Sequence, residues 1–348
     1  MDIQTRVDLI TRCPTEEIVS TKELEELLQV TSYPRHYIGL EISGKLHLGS
    51  LVLTGFKIND FIKADVKATV FLADWHTYIN NKAEGNWEKI AILAKYYAEA
   101  FKFFCPAVQI VTGSELYSKC GADYWQDLVR FSKHMTLARA TRSLTIMGRT
   151  EKDNLDLSQL LYPPMQSVDI RALRLDIVHA GMDQRKIHML VREIYPKLNW
   201  KVPIIIHHHL LPGLSEPITL GETGVIEQKH ISSKMSKSKP SSGITIHDDE
   251  KAIYKKVDNA FCPVDMIEGN PVLELIKYII FHECSEFTIE RTSKYGGNIT
   301  YYNNTDVVKD FIRKKIHPMD LKNATALYIN KIIEPIRKHF ESREPEFI

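Results

Sequence analysis

Two polar strings in this chain carry groups that suit a bound polyphosphate. They are His47-Leu48-Gly49-Ser50 and, far downstream, Lys234-Met235-Ser236-Lys237-Ser238. An imidazole N–H donates hydrogen bonds to phosphate oxygens, and a glycine lets a nucleotide approach the backbone closely. The two lysines, three residues apart in a loop rich in Ser and Pro, can both face one anion. Because phosphoryl chemistry needs mainly positioning and charge stabilisation, the strings predict a site for a nucleoside triphosphate.

Strands that alternate with helices must position these strings. Short runs rich in Val, Ile and Leu predict buried strands, and longer amphipathic segments between them predict helices. Such an alternation is typical of a parallel sheet covered on both faces, in which ligands bind beyond the carboxyl ends of the strands. The fold class is therefore predicted to be α/β, with a Rossmann-like parallel sheet. The predicted strands cover residues 36–42, 68–73, 108–112, 175–179 and 202–207.

Length and sequence pattern predict three regions. A chain of 348 residues exceeds one ordinary core. Residues 1–35 predict an N-terminal helical extension, in which Ser20 caps a helix. Residues 36–240 predict the Rossmann-like catalytic domain, interrupted by a basic helical insertion at about 114–160. Residues 241–348, with helical patterns at about 250–260, 271–282 and 320–341, predict a mainly α-helical C-terminal domain.

Composition excludes several classes of protein. The net charge of +1 confines any nucleic-acid binding to local basic patches. Five widely spaced cysteines with no C-x-x-C pair indicate neither a disulfide framework nor a thiolate zinc site. The first residues lack a signal-peptide pattern and no apolar run approaches the ~20 residues of a spanning helix, which predicts a cytoplasmic protein. His207, His208 and His209 are adjacent and cannot all face one ion, so we expect no metal site there.

The two strings belong to a longer pattern that covers about residues 6 to 340. The segments Tyr37–Gly49, Leu72–His76, Tyr162–Asp169, Gly181–His188 and His317–Asp320 occur in an order typical of one family. The chain resembles the tyrosyl-tRNA synthetases of the archaeal and eukaryotic type, which are class I aminoacyl-tRNA synthetases. It departs from them at Ser50, where the family signature usually has a second histidine. A hydroxyl at this position donates a hydrogen bond but carries no charge.

The resemblance implies that the chain activates L-tyrosine with ATP, releases pyrophosphate and transfers tyrosine to the 3'-terminal adenosine of tRNA(Tyr). Tyr37 and Asp169 match the residues that bind the phenol. The α-ammonium group is held in the family by residues that match Tyr162, Gln166 and Gln184. A site with buried partners for the phenol rejects phenylalanine, because those partners would be left unpaired.

The resemblance also implies how ATP is bound. The residues expected to stabilise the reacting phosphates are His47, Lys234 and Lys237. Mg²⁺ is expected to accompany the triphosphate as part of the substrate, with no dedicated metal site on the protein. The full set of positions expected to contact ATP is Gly39, His47, Gly49, Asp183, Lys234, Ser236 and Lys237.

Contacts with tRNA are implied at both ends of the chain. Arg142 and Arg185 match positions near the first base pair and the discriminator base. Tyr295 and Asp320 match residues that stack on the first anticodon base and hydrogen-bond to it, and His317 adds local positive charge. The resemblance further implies a homodimer.

Three other functions share part of this pattern. A tryptophanyl-tRNA synthetase has the same fold and chemistry, but its larger pocket needs an acceptor for one indole N–H, so Tyr37 with Asp169 suits a phenol better. Another α/β nucleotidyl transferase can share the His47 string but lacks the C-terminal domain. A non-catalytic tRNA-binding protein does not need His47, Lys234 and Lys237 together. For His76, a core histidine and a site residue remain equal alternatives.

Overall fold

The structure, a computed structural model, describes residues 1–149, 153–217, 235, 243–264 and 266–341. It divides into two units. The first consists of Met1–Ser43 and Lys57–His209, and the second of Gly44–Phe56 with the described part of the chain after His209. The predicted boundary at residue 240 lies outside the described residues and stays a prediction.

A six-stranded sheet forms the centre of the first unit. Its order is β1-β6-β5-β2-β3-β4, and the five strands from β6 to β4 are mutually parallel, which confirms the predicted fold class. β1 lies in the region predicted to be helical and pairs antiparallel with β6 at the edge. β2 occupies an interior position, between β5 and β3. The strands are β1 (Thr15–Ile18), β2 (Arg35–Leu40), β3 (Lys67–Leu72), β4 (Gln109–Thr112), β5 (Ile177–Gly181) and β6 (Ile204–His208).

Helices cover the sheet because its central strands carry apolar side chains on both faces. Every residue of β5 and β6 is buried, as expected for parallel strands between two helical layers. One apolar cluster includes Val7, Leu24, Phe61 and Ile206, and another includes Tyr37, Tyr124 and Tyr162. The helix Thr54–Lys63 belongs to the first unit from Lys57 onward. The other α-helices of the first unit are Ile3–Thr11, Thr21–Val30, Asp74–Ile79, Trp87–Phe104, Gly113–Cys120, Ala122–Ser132, Leu137–Ser143, Tyr162–Ala172 and Arg185–Ile194.

Side-chain caps mark two helix starts, of which the one at Ser20 is predicted from the sequence. The Ser20 hydroxyl accepts a hydrogen bond from the Glu23 N–H, and the Asn86 side chain accepts from two backbone N–H groups. The Glu23 carboxylate pairs with Arg192, at 2.9 and 3.0 Å, and so joins two helices of the unit.

A buried lysine anchors the N-terminal segment. Lys57 Nζ donates to the carbonyl oxygens of Leu9 and Arg12, at 3.0 and 3.3 Å, and lies 3.4 Å from an Asp60 carboxylate oxygen. Burial lowers the pKa of Lys57 to about 8, although the Asp60 charge opposes this fall. Asp60 also pairs with Arg12. The N-terminal helix is thus attached to the sheet unit by charged as well as apolar contacts.

The second unit is mainly helical in its described part, as predicted. Among these residues, strands β7 (Phe287–Ile289) and β8 (Ile299–Tyr301) add a small antiparallel pair. The predicted helix over 271–282 is present as an α-helix, a π-helical turn and a final α-turn. No helix of the described residues combines the length and apolar character needed to cross a bilayer. The helical segments are Leu48–Leu53, Glu250–Asp258, Pro271–Leu275, Ile276–Ile280, Phe281–Glu283, Asn304–Ile312 and Pro318–Phe340.

Candidate active site

A buried carboxylate lies at the closed end of the candidate amino-acid site. Asp169, on the helix Tyr162–Ala172, is 1% exposed. The Tyr124 hydroxyl donates to Asp169 Oδ1 at 2.7 Å, whereas Oδ2 has no hydrogen-bond partner among the described residues. Tyr37, on β2, is 2% exposed. An acceptor oxygen is therefore buried here and available to a ligand.

The titration of these groups reflects their burial. Burial raises the pKa of Asp169 to about 8, and the hydroxyls of Tyr124 and Tyr117 oppose that rise. Burial, and then the negative charge of Asp169, raise the pKa of Tyr37 far above its usual range. Tyr37 therefore stays a neutral hydroxyl that can donate a hydrogen bond.

His76 belongs to the same group of side chains. Its Nε2 lies 3.6 Å from Asp169 Oδ2, and its ring meets the Tyr162 ring edge-on at a centroid distance of 4.5 Å. Both ring nitrogens are buried and have no hydrogen-bond partner in the part of the chain that the structure describes. Burial lowers the pKa of His76 to about 3, so the ring is neutral. Of the two sequence alternatives, this geometry favours a site residue.

Amide oxygens form the other end of the site. Gln166 Nε2 donates to Gln184 Oε1 at 3.1 Å, and Gln184 Nε2 donates to the Ile146 carbonyl oxygen at 3.1 Å. Gln166 Oε1 is buried without a partner among the described residues. Burial raises the pKa of Tyr162, as do, to a smaller extent, the nearby charges of Glu41 and Asp183. An ammonium group would satisfy the acceptors collected here.

Two predicted nucleotide contacts follow strands of the same sheet. Gly39 lies in β2, where an added Cβ would sit 3.4 Å from a Tyr37 ring carbon. A side chain at this position would therefore lie in contact with that ring. Asp183 lies in the turn directly after β5 and is partly buried. Both are near the carboxyl ends of their strands, where ligands of such sheets bind.

His47 begins a helical segment in the second unit. Its Nδ1 accepts hydrogen bonds from the backbone N–H groups of Gly49 and Ser50, at 3.2 and 3.3 Å. The Ser50 hydroxyl accepts from the His47 N–H at 2.9 Å, which completes a reciprocal cap. Because Nδ1 accepts, Nε2 carries the proton and can donate to a phosphate. The helical segment after His47 starts as a π-helical turn, Leu48–Leu53, a feature frequent at functional sites.

Of the lysine string, only Met235 is described. Its N–H donates to the Leu211 carbonyl oxygen at 2.8 Å, and its buried side chain packs on Gly243. An added Cβ at Gly243 would come within 2.6 Å of Met235 Cγ. Lys234, Ser236 and Lys237 lie outside the described residues, so their roles stay predictions.

The two predicted acceptor-stem arginines differ in their surroundings. Arg142 is exposed on the helix Leu137–Ser143. Arg185 Nε donates to both carboxylate oxygens of Glu17, at 2.9 and 3.0 Å. The chain of contacts continues from Glu17 to His207 Nδ1 at 2.7 Å and from His207 Nε2 to His188 at 3.0 Å.

The three consecutive histidines have different partners. Besides His207, whose contacts are with Glu17 and His188, His208 Nδ1 lies 2.7 Å from His179, and His209 Nδ1 lies 3.0 Å from Glu16. Within the described residues, no group of three or more His, Cys, Asp or Glu side chains could hold a metal ion. The predicted end of a strand at this position is confirmed, because β6 ends at His208.

The predicted anticodon residues lie on two segments of the second unit. Tyr295 ends a short helical turn and its side chain is 64% exposed. His317 caps the helix Pro318–Phe340 through its Nδ1, which accepts from the Met319 N–H at 3.2 Å, and Asp320 lies in the first turn. Arg291 donates to the carbonyl oxygens of Gly297 and Lys315, each at 3.0 Å, and thereby links the two segments.

Sequence reasoning missed two polar residues of the amino-acid site. Tyr124, on the helix Ala122–Ser132, is the hydrogen-bond donor to Asp169. Glu41, directly after β2, accepts from Asn80 at 2.6 Å and lies near Tyr162. Glu41 falls inside the Tyr37–Gly49 segment, so its place in that motif could have revealed it. Tyr124 lies in no motif.

Comparisons with known proteins agree with this geometry. The sequence profile of the family described as class I tRNA synthetases (W and Y) matches residues 30–334. The tyrosine–tRNA ligase of Thermococcus sibiricus is 44% identical over 99% of this chain and 97% of that protein. The crystal structure of the Pyrococcus horikoshii tyrosyl-tRNA synthetase, complexed with L-tyrosine, has a TM-score of 0.92 and 41% identity. The match covers 100% of this chain and 98% of that one.

The tryptophan enzymes are more distant. A crystal structure of Plasmodium falciparum tryptophanyl-tRNA synthetase has a TM-score of 0.69 at 16% identity, which establishes a shared fold alone. The tryptophan alternative is therefore the less supported one. Profile, identity and coverage together show that the chain belongs to the class I tRNA synthetases of the tryptophan and tyrosine group, among the tyrosyl-tRNA synthetases of archaeal type.

Proposed function

We propose that this chain is a ligase that joins L-tyrosine to tRNA(Tyr) at the expense of ATP. The observation that carries the proposal is the buried pair Tyr37 and Asp169, with one carboxylate oxygen left for a ligand. Tyr37 donates to the substrate phenol and Asp169 accepts from it. Phenylalanine would leave both groups unsatisfied, and an unsatisfied buried polar group is costly.

The α-ammonium group binds at the amide end. Gln166 Oε1 accepts from it, Gln184 fixes the Gln166 side chain through their 3.1 Å hydrogen bond, and Tyr162 adds a hydroxyl. The substrate carboxylate is then directed toward ATP. That carboxylate is already ionised at neutral pH, so no general base is required.

The carboxylate attacks the α-phosphorus of ATP in line. The bond from the α-phosphorus to the oxygen that bridges to the β-phosphate breaks, and pyrophosphate leaves. His47 Nε2, Lys234 and Lys237 stabilise the charge that grows on the phosphate oxygens, and Gly39, Gly49, Asp183 and Ser236 contact the nucleotide. Magnesium enters with the triphosphate as part of the substrate. A ribose hydroxyl of the terminal adenosine of tRNA then attacks the tyrosyl carbonyl carbon, and AMP leaves.

The first test is ATP–pyrophosphate exchange with tyrosine, tryptophan and phenylalanine. We expect exchange with tyrosine at rates at least about 100-fold above those with the other two, because one unsatisfied buried group costs about 1–3 kcal/mol and two are left here. Exchange with tryptophan alone would establish the rival function, and exchange with no amino acid would favour a non-catalytic tRNA-binding protein. Lys237→Ala should slow exchange with tyrosine while tyrosine binding stays within about twofold, with Ser238→Ala as its control.

tRNA is bound through Arg142 and Arg185 at the acceptor stem and through Tyr295, His317 and Asp320 at the anticodon. The exposed Tyr295 ring offers a stacking surface, and the Asp320 carboxylate accepts from a base edge. Charging of tRNA(Tyr) transcripts with each of the four first anticodon bases tests this part. Equal rates for all four bases would contradict the proposed anticodon contacts.

The enzyme acts as a cytoplasmic homodimer. Support comes from exposed apolar side chains on the helical insertion and from five cysteines that form no disulfide, as in a reducing compartment. Sedimentation equilibrium should give twice the chain mass, and Val129→Asp should shift it toward the monomer. The exposed apolar residues are Trp125, Val129, Leu137, Leu157 and Leu161.

A further inference from the structure

Tyr124 touches Asp169 on the side opposite the open carboxylate oxygen. Its hydroxyl is buried and donates to Oδ1 at 2.7 Å, with the Met165 carbonyl oxygen 3.4 Å away. Met165 and Asp169 are neighbours on one helix, so the hydroxyl sits against one turn of it. Oδ1 is therefore occupied while Oδ2 is not. The two oxygens of one carboxylate have separate surroundings.

The charge of Asp169 decides how well it accepts a hydrogen bond from a phenol. A carboxyl protonated on Oδ2 would present a donor to a substrate hydroxyl that Tyr37 already meets with a donor, and only an uncharged, weaker acceptor would remain for the phenol hydrogen. Burial favours the protonated form, since the carboxyl is almost inaccessible to water. A hydrogen bond donated to the ionised form works against burial.

We propose that Tyr124 is a positioning residue for tyrosine selection, whose hydroxyl favours the ionised form of Asp169 and orients its Oδ2 toward the substrate. The proposal rests on the proposed function, in which Asp169 accepts from the phenol. Tyr124 acts through Asp169 and makes no contact with substrate. The titratable groups around Asp169 are Tyr37, Asp74, His76, Tyr117, Tyr124, Tyr162 and Tyr195.

Two tyrosines, Tyr117 and Tyr124, pack together beside Asp169, and only Tyr124 donates a hydrogen bond of good geometry to its carboxylate among the described residues. Tyr117 and Tyr124 lie with ring centroids 4.3 Å apart, but the buried Tyr117 hydroxyl makes no hydrogen bond of good geometry to a described residue. His76 is neutral and lies 3.6 Å away, too far for a strong hydrogen bond. Asp74 directs its carboxylate to the N–H groups of Trp75 and Ser114, at 2.8 and 3.1 Å. Tyr124 is thus the donor that holds Oδ1.

Tyr124→Phe removes the donor and keeps the ring. We expect kcat/KM for tyrosine in ATP–pyrophosphate exchange to fall about tenfold at pH 7. The acid limb of its pH profile should move up by about one pH unit, because the carboxyl becomes harder to ionise. Exchange with phenylalanine should change less than twofold, so the tyrosine-to-phenylalanine ratio falls.

Tyr195→Phe is the matched control. Tyr195 is also a buried tyrosine and its hydroxyl donates to the Ser167 carbonyl oxygen at 2.6 Å, on the same helix but not to Asp169. This variant should lose thermal stability and keep the parental pH profile and ratio. Should Tyr124→Phe not fold, Tyr124→Gln, which retains a donor, replaces it and should keep the ratio closer to the parental value than Asp169→Asn does.

These variants distinguish the role of Tyr124 from the proposed ligase function. An unchanged pH profile and ratio in Tyr124→Phe, with a collapsed ratio in Asp169→Asn, would overturn the role of Tyr124 alone. If Asp169→Asn leaves the tyrosine-to-phenylalanine ratio unchanged, the proposed roles of both Tyr124 and Asp169 are wrong. Persisting exchange with tyrosine would still support the proposed ligase function. Absence of exchange with tyrosine in the parent would overturn the proposed function itself.

Discussion

Asp169 is a residue at which binding and stability make opposite demands. Its carboxyl accepts a phenol hydrogen best when it is ionised, yet it is buried on a helix among aromatic rings. Ionisation in such surroundings is unfavourable, which the pKa of about 8 expresses. The folded chain therefore holds, where the substrate binds, a carboxyl whose ionised form is disfavoured.

We expect Asp169→Asn to melt at a higher temperature than the parent at pH 8. The folded pKa of Asp169 is raised from 3.8 to about 8, so its contribution to stability is full below pH 4 and is lost as the pH rises toward 8. The difference in melting temperature between variant and parent should be small at pH 4, grow up to about pH 8 and then level off. Scanning calorimetry at several pH values measures it, and a pH-independent difference would refute the raised pKa.

Sequence patterns revealed residues of this kind only where they fall in motifs. Tyr162, Gln166 and Asp169 share one helix face by spacing alone, and the structure confirms that helix. Tyr124 is one of fifteen tyrosines and lies outside every motif, since its partner is 45 residues away in the chain. A contact made by two helices that cross in space leaves no periodic trace.

At the scale of elements, the helical segment after His47 has a serine, Ser50, where the family signature has a second histidine, and this serine caps the start of the segment. Ser50, which departs from the family signature, accepts from the His47 N–H at 2.9 Å, and its own N–H donates to the His47 ring. The serine hydroxyl therefore holds the backbone of the residue whose ring is proposed to meet ATP. Its sequence context, a polar residue three positions after a capping residue, is that of a capping box.

Ser50→Ala should lower the free energy of unfolding by about 1 kcal/mol, because one side of the cap is lost. The His47 ring should also be held less firmly, so KM for ATP in the exchange reaction should rise several-fold while KM for tyrosine stays unchanged. Urea unfolding and exchange kinetics measure the two effects. Ser118→Ala, at an exposed helix position, is the control and should change neither.

The edge strand β1 shows why an element can escape prediction. Its four residues, Thr15–Ile18, do not alternate between apolar and polar side chains and remain at least partly exposed, so the sequence gives no sign of a buried strand. The strand forms because β6 offers an unpaired edge and because the preceding helix is anchored. The anchor is Lys57, whose contacts come from residues about 45 positions away.

Lys57→Met should destabilise this anchor by about 3 kcal/mol, since a buried ion pair loses one partner and two carbonyl oxygens lose a donor. The variant keeps the chain length and apolar character of the side chain. Urea unfolding of parent and variant measures the loss. If the free energies of unfolding of parent and variant differ by less than about 1 kcal/mol, the ion pair with Arg12 is sufficient to balance the charge of Asp60.

At the scale of the molecule, five buried histidines of the first unit set a lower limit to the pH at which the chain stays folded. Burial lowers the pKa of His36, His76 and His208 to about 3 and that of His179 and His188 far below the usual value. These groups are neutral when folded and charge readily when unfolded. Together with Asp169, they favour an optimum of stability between the two limits.

We expect the melting temperature to fall steeply as the pH drops below about 6.5. A folded pKa below the unfolded value means that the stability from neutral histidines is present above pH 6.5 and is lost as the pH falls toward 3. Calorimetry between pH 7 and pH 4 measures the melting temperature as a function of pH. Replacement of His36 by Gln should make the melting temperature fall less steeply with pH. A flat profile over that interval would contradict neutral buried histidines.

Arg185 is neutralised by Glu17 before any nucleic acid arrives. When a phosphate takes the place of that carboxylate, few counterions leave, because the arginine had already shed its own and the freed carboxylate gathers new ones. Arg185→Gln should therefore weaken tRNA binding while the dependence of log K on log salt concentration barely changes. For the exposed Arg142, the same substitution should reduce the steepness of that dependence by about one unit.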